Sequence, residues 1–270
     1  MKRVRVLIPT GYGENCNYEL QYCYKMVGAC ADIVHIGDII SGKIKLNNYH
    51  ILNWGGGFLD GDDLGAARAG VNRIKHSILK NKKTLFDALI DLIESEKLIA
   101  GQCNGFQLWI KLGILPGLDF GKQEATLTYN ASGKFEDRWV KLKINKNSPC
   151  IWTKNMDTIE LPVRHGEGRF VVKDKKILEE LNKNNLISLR YADENYIPTM
   201  KYPFNPNGSA DAIAGICDKS GRIFGLMPHP EAYNQRTNHP LWTRRKYESN
   251  DGDGLQIFRN AVKYAEENLL

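Results

Sequence analysis

The sequence predicts an α/β fold: an open, mostly parallel twisted sheet with helices on both faces and a small antiparallel extension. Three observations predict it. Through residues 4–112, short apolar runs alternate with segments of helical periodicity, the pattern of a parallel, doubly wound sheet. One such run, Leu98-Ile99-Ala100, passes directly into Gly101-Gln102-Cys103-Asn104-Gly105-Phe106, which reads as a strand turning sharply into a helix. From about residue 124 to 202 the pattern changes to runs that suit antiparallel strands.

In chain order, a first strand is expected over 4–8, a helix over 17–27 and a second strand over 32–36. A third strand over 50–54 ends in Gly55-Gly56-Gly57. Helices follow over 66–80 and 85–95, and the run 98–102 leads into a helix over 104–112. Strands are expected over 126–130, 138–144, 187–191, 212–217 and 222–226, with Asp218-Lys219-Ser220-Gly221 as a hairpin turn between the last two. Residues 205–209 and 247–254 read as loops, and an amphipathic helix over 254–267 follows. With no internal repeat and no low-complexity linker, residues 1–270 read as one domain.

Glycines two residues either side of Cys103 let a tight turn form without Cβ clashes. Such a turn lifts the thiol out at a helix N-terminus, where free N–H groups and a partial positive charge favour a thiolate. Cys103 therefore reads as the nucleophile of an elbow. The plainer reading is a small buried cysteine at a strand end. In open α/β sheets, ligands bind beyond the carboxyl ends of the strands. Gly55-Gly56-Gly57, Cys103 and His229 all follow strand ends and should converge there. Gly56 and Gly57 would let substrate approach the backbone. Gly57 or Phe58 would offer one N–H to an oxyanion and Asn104 a second. A flexible turn is the alternative; a phosphate loop lacks its lysine. Asp60, Asp62 and Asp63 read as turn or helix-start acids rather than a metal cluster.

Met227 and His229 both precede proline, so the segment 227–230 should be extended. In an extended chain, His229 and Glu231 lie on one side, and the carboxylate can orient the imidazole. They would supply the base and orienting group that a thiol nucleophile needs. Half of a metal site, a loop without a role, or a Glu231–Arg236 pair are the competing readings. No second His or Cys stands at ligand spacing near this segment, and no metal is assigned.

The composition is that of a globular chain, 42% hydrophobic and 25% charged. A net charge of +6 with dispersed Lys and Arg gives no nucleic-acid stripe. No apolar run approaches the ~20 residues of a membrane helix. The apolar run after Met1-Lys2-Arg3 is short and contains Arg5, unlike a signal peptide. Six cysteines without a Cys-x-x-Cys pair argue against a disulfide scaffold or zinc ribbon. Cys16, Cys23 and Cys30, seven apart, are expected to share the buried face of the first helix, with a metal role the minor alternative. A reducing cytoplasm suits a catalytic thiol.

The motifs Cys103-Asn104-Gly105-Phe106-Gln107 and Met227-Pro228-His229-Pro230-Glu231 resemble the class I (triad) glutamine amidotransferases. Gly56-Gly57-Phe58, Gly61-Asp62, His165-Gly166-Glu167-Gly168-Arg169 and Asn205-Pro206-Asn207-Gly208-Ser209 narrow the resemblance to the glutaminase component of phosphoribosylformylglycinamidine synthase, an enzyme of purine biosynthesis. It runs from about residue 4 to 264. Two departures stand out. Leu59-Asp60 replaces the family's usual Ser-Tyr, and Ala232 replaces its usual Arg.

The resemblance implies a flavodoxin-like fold and a Cys103, His229, Glu231 triad that hydrolyses L-glutamine through a thioester. It implies that Gln107 contacts bound glutamine. His165 and Glu167 either line the pocket or partner interface or form a structural salt link. No cofactor is expected on this chain; ATP and Mg are expected on an ATP-dependent synthetase partner, with a small third subunit bridging the two. An amidotransferase for another acceptor and a non-enzymatic sensor of related fold are the rival readings.

Overall fold

The computed structural model describes residues 3–246 and 249–270, so the expected 247–254 loop begins on residues outside it. The first half of the chain alternates as expected. Its elements are β1 (Arg5–Thr10), α1 (Asn17–Met26), β2 (Cys30–His35), α2 (Ile36–Ile40), β3 (Ile51–Trp54), α3 (Arg68–His76), α4 (Leu85–Glu94), β4 (Leu98–Gln102) and α5 (Asn104–Leu112). The second half adds β5 (Ala125–Thr128), β6 (Glu136–Ile144), β7 (Thr158–His165), β8 (Arg169–Val172), α6 (Lys175–Lys183), β9 (Ile187–Ala192), β10 (Ile213–Cys217), β11 (Ile223–Leu226) and α7 (Leu255–Asn268).

One sheet runs β2-β1-β3-β4-β11-β10-β9-β6-β7. The ladders from β2 to β11 are parallel. Those from β11 to β7 are antiparallel and form the extension. β5 and β8 pair separately. Every residue of β3, β4, β10 and β11 is buried. Strands covered on both faces read as continuous apolar runs rather than alternation, which is what these segments show.

Four elements escaped the sequence reading: α2, β7, β8 and α6. The first and third are only five and four residues long. β7 carries Pro162, an anti-strand signal. It is tolerated because β7 is the sheet edge, where one row of N–H groups has no strand to meet. α3 is shorter than the expected helix. It starts after Ala67, which is held at φ +59, and stops at His76 because Ser77 turns extended. The heptad of cysteines does not share one helix face. Cys23 is buried on α1, Cys16 sits just before that helix, and Cys30 is exposed on β2.

α5 lies wholly buried, including Lys111, whose Nζ donates to the Ala66 carbonyl. Two glycines make this burial possible. A Cβ on Gly101 would stand 2.5 Å from the Gly105 carbonyl carbon, and one on Gly105 only 2.1 Å from the Trp54 carbonyl oxygen. The helix therefore touches the ends of β3 and β4 backbone to backbone. Trp109 on α5 closes the contact, donating its indole N–H to the Ala100 carbonyl at 2.9 Å and meeting Trp54 edge-on at 5.7 Å. Gly105→Ala should lose on the order of 3 kcal/mol, because neither backbone can retreat. A urea unfolding midpoint equal to that of the parent would show that the helix can move away.

Candidate active site

Cys103 sits between β4 and α5 with φ +50 and ψ −104, a conformation that L-residues rarely adopt. Its amide donates to the Leu226 carbonyl at 2.9 Å, and its carbonyl accepts from Gln107 N at 3.0 Å. These bonds, and the close approach at Gly101 and Gly105, hold the strained residue in place. The glycines serve packing, and the left-handed φ falls on the cysteine itself. The thiol lines a cavity of about 530 Å³ with His229, Glu231, His165, Glu167 and Gln107.

The prolines do not keep the whole 227–230 segment extended. Pro230–Ala232 is one short 3-10 turn that begins directly after His229. The turn still brings His229 Nδ1 within 2.6 Å of Glu231 Oε1, with both side chains buried. His229 N donates to the Pro162 carbonyl at 2.9 Å, so β7 fixes the backbone that carries the imidazole. Among the described residues, His229 Nε2 is buried without a hydrogen-bond partner, and the Cys103 thiol donates to the Arg164 carbonyl at 3.7 Å.

The glycine loop meets the elbow as expected. A Cβ on Gly56 would lie 2.7 Å from His229 Cε1, 3.1 Å from Cys16 Sγ and 3.3 Å from Cys103 Cβ, so nothing larger fits there. Phe58 is no oxyanion donor, because its N–H donates to the Gly13 carbonyl at 2.8 Å. Gly57 pairs with Glu14 across an antiparallel bridge whose bonds are made by the flanking residues. Among the described residues, the Gly57 N–H is thereby left without a backbone acceptor. Asn104 begins α5, so its N–H has no acceptor within the helix. Gly57 and the Cys103 thiol line the same cavity, and Asn104 is the residue after Cys103.

Asn104, Gln107 and Glu167 act as struts. The Asn104 amide accepts from Leu59 N at 3.1 Å and donates to Asp62 Oδ1 at 2.9 Å and Gln107 Oε1 at 2.8 Å. Gln107 in turn donates to the Glu167 carbonyl at 2.5 Å. One donor and one acceptor of Gln107 are thus already engaged, although it lines the cavity. Glu167 makes no salt link with His165; its carboxylate accepts from Ala66 N at 3.1 Å. Asp60 pairs with Arg73 at 2.6 Å and Asp62 also accepts from Ala67 N, so the acids of this loop hold backbone and side chains.

The segment 165–168 folds back over its own histidine. A Cβ on Gly168 would lie 2.4 Å from the His165 ring. Asn130 clamps it, donating to the His165 carbonyl at 2.8 Å and accepting from Gly168 N at 2.9 Å. The Asn205-Pro206-Asn207-Gly208-Ser209 loop braces it from behind: Phe170 N donates to Ser209 Oγ at 2.9 Å, and Asn207 donates to the Tyr191 hydroxyl at 3.0 Å. The departure at Leu59 is a packing one. Its side chain is buried in a slot where Gly11 and Gly70 leave no room for a Cβ. Ala232 lines the cavity.

The sequence reading missed Cys16, Arg164, Tyr129 and Phe135, which also line the cavity. For Arg164 the signal was the alternation of Ile159, Leu161 and Val163, which marks a strand. For Cys16 there was none.

Residues 3–265 match the CobB/CobQ-like glutamine amidotransferase domain. The chain belongs to that glutamine amidotransferase family. It is 43% identical over 272 residues to phosphoribosylformylglycinamidine synthase subunit PurQ of Methanococcus maripaludis strain S2, covering 96% of this chain and 97% of that one. The subunit of the same description from Dehalococcoides mccartyi is 41% identical over 99% of this chain and 100% of its own. The solved structure of PurLQS from Thermotoga maritima superposes with a TM-score of 0.69 at 27% identity, over 97% of this chain and 99% of that one.

Two buried imidazoles of this amidotransferase titrate in opposite directions. Burial opposes charge on His229, but the Glu231 carboxylate and the Cys103 sulfur outweigh it and raise its pKa well above the ordinary value. Burial, with the charge of His229 added, pushes His165 down to about 3, so it stays neutral. Neither ring nitrogen of His165 has a hydrogen-bond partner among the described residues. Burial, and then the Glu231 charge, pushes the Cys16 thiol up to about 11, which keeps it from competing as a nucleophile.

The His165 shift has a defined sign. Between about pH 6.5 and 3 the unfolded chain protonates this residue and the folded chain does not, so stability is present above 6.5 and falls as pH drops. From pH 7 to 5 the loss attributable to His165 is on the order of 2 kcal/mol. His165→Asn should flatten the stability–pH curve by that amount. Parallel curves for parent and variant in urea titrations would show that His165 is not buried neutral.

Proposed function

We propose that this chain is the glutaminase component of phosphoribosylformylglycinamidine synthase in purine biosynthesis. The observation that carries the chemistry is a cysteine held at φ +50 beside a buried His–Glu pair 2.6 Å across. The acceptor follows from the relatives, which match over nearly their whole length.

In this reading the Cys103 sulfur attacks the side-chain amide carbon of L-glutamine. Its proton passes to His229 Nε2 and then to the leaving ammonia. Glu231, on Nδ1, fixes the ring tautomer and stabilises the imidazolium. The N–H groups of Gly57 and Asn104 hold the oxyanion, each worth roughly 3–4 kcal/mol. Water, deprotonated by His229, then cleaves the thioester to glutamate and frees the thiol. Among the described residues, Gln107 keeps one donor and one lone pair unengaged for bound glutamine. His165, neutral and without a hydrogen-bond partner among the described residues, lines the same cavity. Cys103→Ser should leave less than a hundredth of the glutamine hydrolysis while the fold persists. His229→Ala should lose nearly as much, and Glu231→Gln less. A Glu231→Gln enzyme as active as the parent would reduce that carboxylate to a structural role.

Ammonia released into water at neutral pH is mostly protonated and lost as a nucleophile. The glutaminase therefore needs a synthetase that receives ammonia directly, carries ATP and Mg, and converts formylglycinamide ribonucleotide to the amidine. The Thermotoga maritima PurLQS structure supports such a partner and a small bridging subunit. The reading places the chain in the cytoplasm. All six cysteines are unpaired, and no helix among the described residues is long and apolar enough to cross a membrane.

The loop 55–63 that bears Gly57 includes Asp60, Gly61 and Asp62 at φ +57, +74 and +52, a strained run that a partner could shift. Glutaminase activity at saturating glutamine should rise at least about tenfold with the synthetase bound, which needs only about 1.4 kcal/mol of coupling. Equal rates with and without the partner would mean that the loop already has its working form.

A further inference from the structure

Cys16 takes no part in the chemistry above, yet it faces that chemistry from across Gly56. It stands just before α1, and its amide donates to the Gly56 carbonyl at 3.2 Å. Its Sγ lies 3.8 Å from His229 Nδ1. Cys16 Sγ, a His229 ring nitrogen and a Glu231 carboxylate oxygen all lie within 4.8 Å of one another. A second observation points to a ligand there. Glu231 is 1% exposed, and its Oε2 has no hydrogen-bond partner among the described residues.

Thiolate, imidazole and carboxylate are the donor set of a borderline-soft divalent cation. Two ligands of a tetrahedral zinc stand roughly 3.5 Å apart, given bonds near 2.3 Å to sulfur and 2.0–2.1 Å to nitrogen. The Cys16–His229 separation is already close to that. The carboxylate need only release Nδ1 and turn, with Oε2 available as the donor.

We propose that Cys16, His229 and Glu231 form an inhibitory site for a thiophilic divalent cation, with Zn²⁺ the best fit. On binding, the Cys16 thiol gives up its proton to solvent and a metal–sulfur bond forms. The cation takes Nδ1, and the proton that Nδ1 had donated to Glu231 moves through solvent to Nε2. With Nε2 protonated, His229 can no longer accept the Cys103 proton. Glutamine hydrolysis then stops while the fold is unchanged. The inhibition rests on the glutaminase reading; the binding of the cation does not.

The test uses Co²⁺ as a spectroscopic probe and removes the competing catalytic thiol. Cys103→Ser protein titrated with Co²⁺ should develop a thiolate-to-cobalt charge-transfer band at one equivalent. The double variant Cys103→Ser/Cys16→Ala should show none, with circular dichroism confirming that it folds. The same band in both proteins, or no band in Cys103→Ser, would overturn the site, the latter because the cation would then need the catalytic thiol. In the parent protein, Zn²⁺ should inhibit glutamine hydrolysis reversibly on addition of EDTA. Cys16→Ala should raise the inhibitory concentration at least tenfold. An unchanged inhibitory concentration would also overturn the proposal. A parent without glutaminase activity even with the synthetase bound would sink the functional reading and leave the Co²⁺ result to decide the site.

Discussion

The contact of α5 with the ends of β3 and β4 governs the rest of the structure. A helix ordinarily packs on a sheet through two layers of side chains. Here Gly101 and Gly105 remove one layer, and the helix backbone lies against the Trp54 and Gly55 carbonyls. The chain must then turn from strand to helix within a single residue, and Cys103 absorbs that turn in a conformation costing of order 1–3 kcal/mol. The buried Trp54–Trp109 pair and the wholly buried α5 offset the strain. The same geometry places the thiol at the N-terminus of that helix.

Around that point, polar side chains serve as struts. Asn104, Gln107, Asn130, Glu167 and Ser209 tie three separate loops to one another and to the elbow helix. Each is buried or nearly so, and each would leave an orphaned donor or acceptor if its partner moved. Loops otherwise free to sample many conformations are thereby held in register with the thiol. The replacement at Leu59 fits this picture, since its side chain fills a slot between two glycines and its N–H still reaches Asn104.

Electrostatics divides the labour between two histidines in one cavity. His229 has a carboxylate at 2.6 Å and holds a proton readily; among the described residues His165 has none, and burial keeps it neutral. Pairs of titratable groups pushed apart in this way mark acid–base sites. The carboxylate that tunes His229 also lies within reach of Cys16, so the arrangement that prepares the base leaves it open to a competing cation.

The sequence by itself determined what short-range covalent constraints dictate. Glycines at 101 and 105 and prolines at 228 and 230 restrict their neighbours wherever they occur, so the elbow and the His–Glu pairing were legible before any fold, while the short turn that makes the pair was not. The alternation of apolar runs likewise marked the parallel half of the sheet. Only the tertiary structure decided the rest. Whether Phe58 or Gly57 keeps a free N–H depends on the Gly13 carbonyl, 45 or so residues away in the chain. Whether Glu167 is a ligand or a strut depends on Ala66. Cys16 reached the triad across a sequence separation of 213, and no local spacing encodes that. Propensities and turn chemistry act over a few residues. Hydrogen-bond partners and metal-ligand groupings are set by which surfaces the core brings together, and that is settled by packing the whole chain at once.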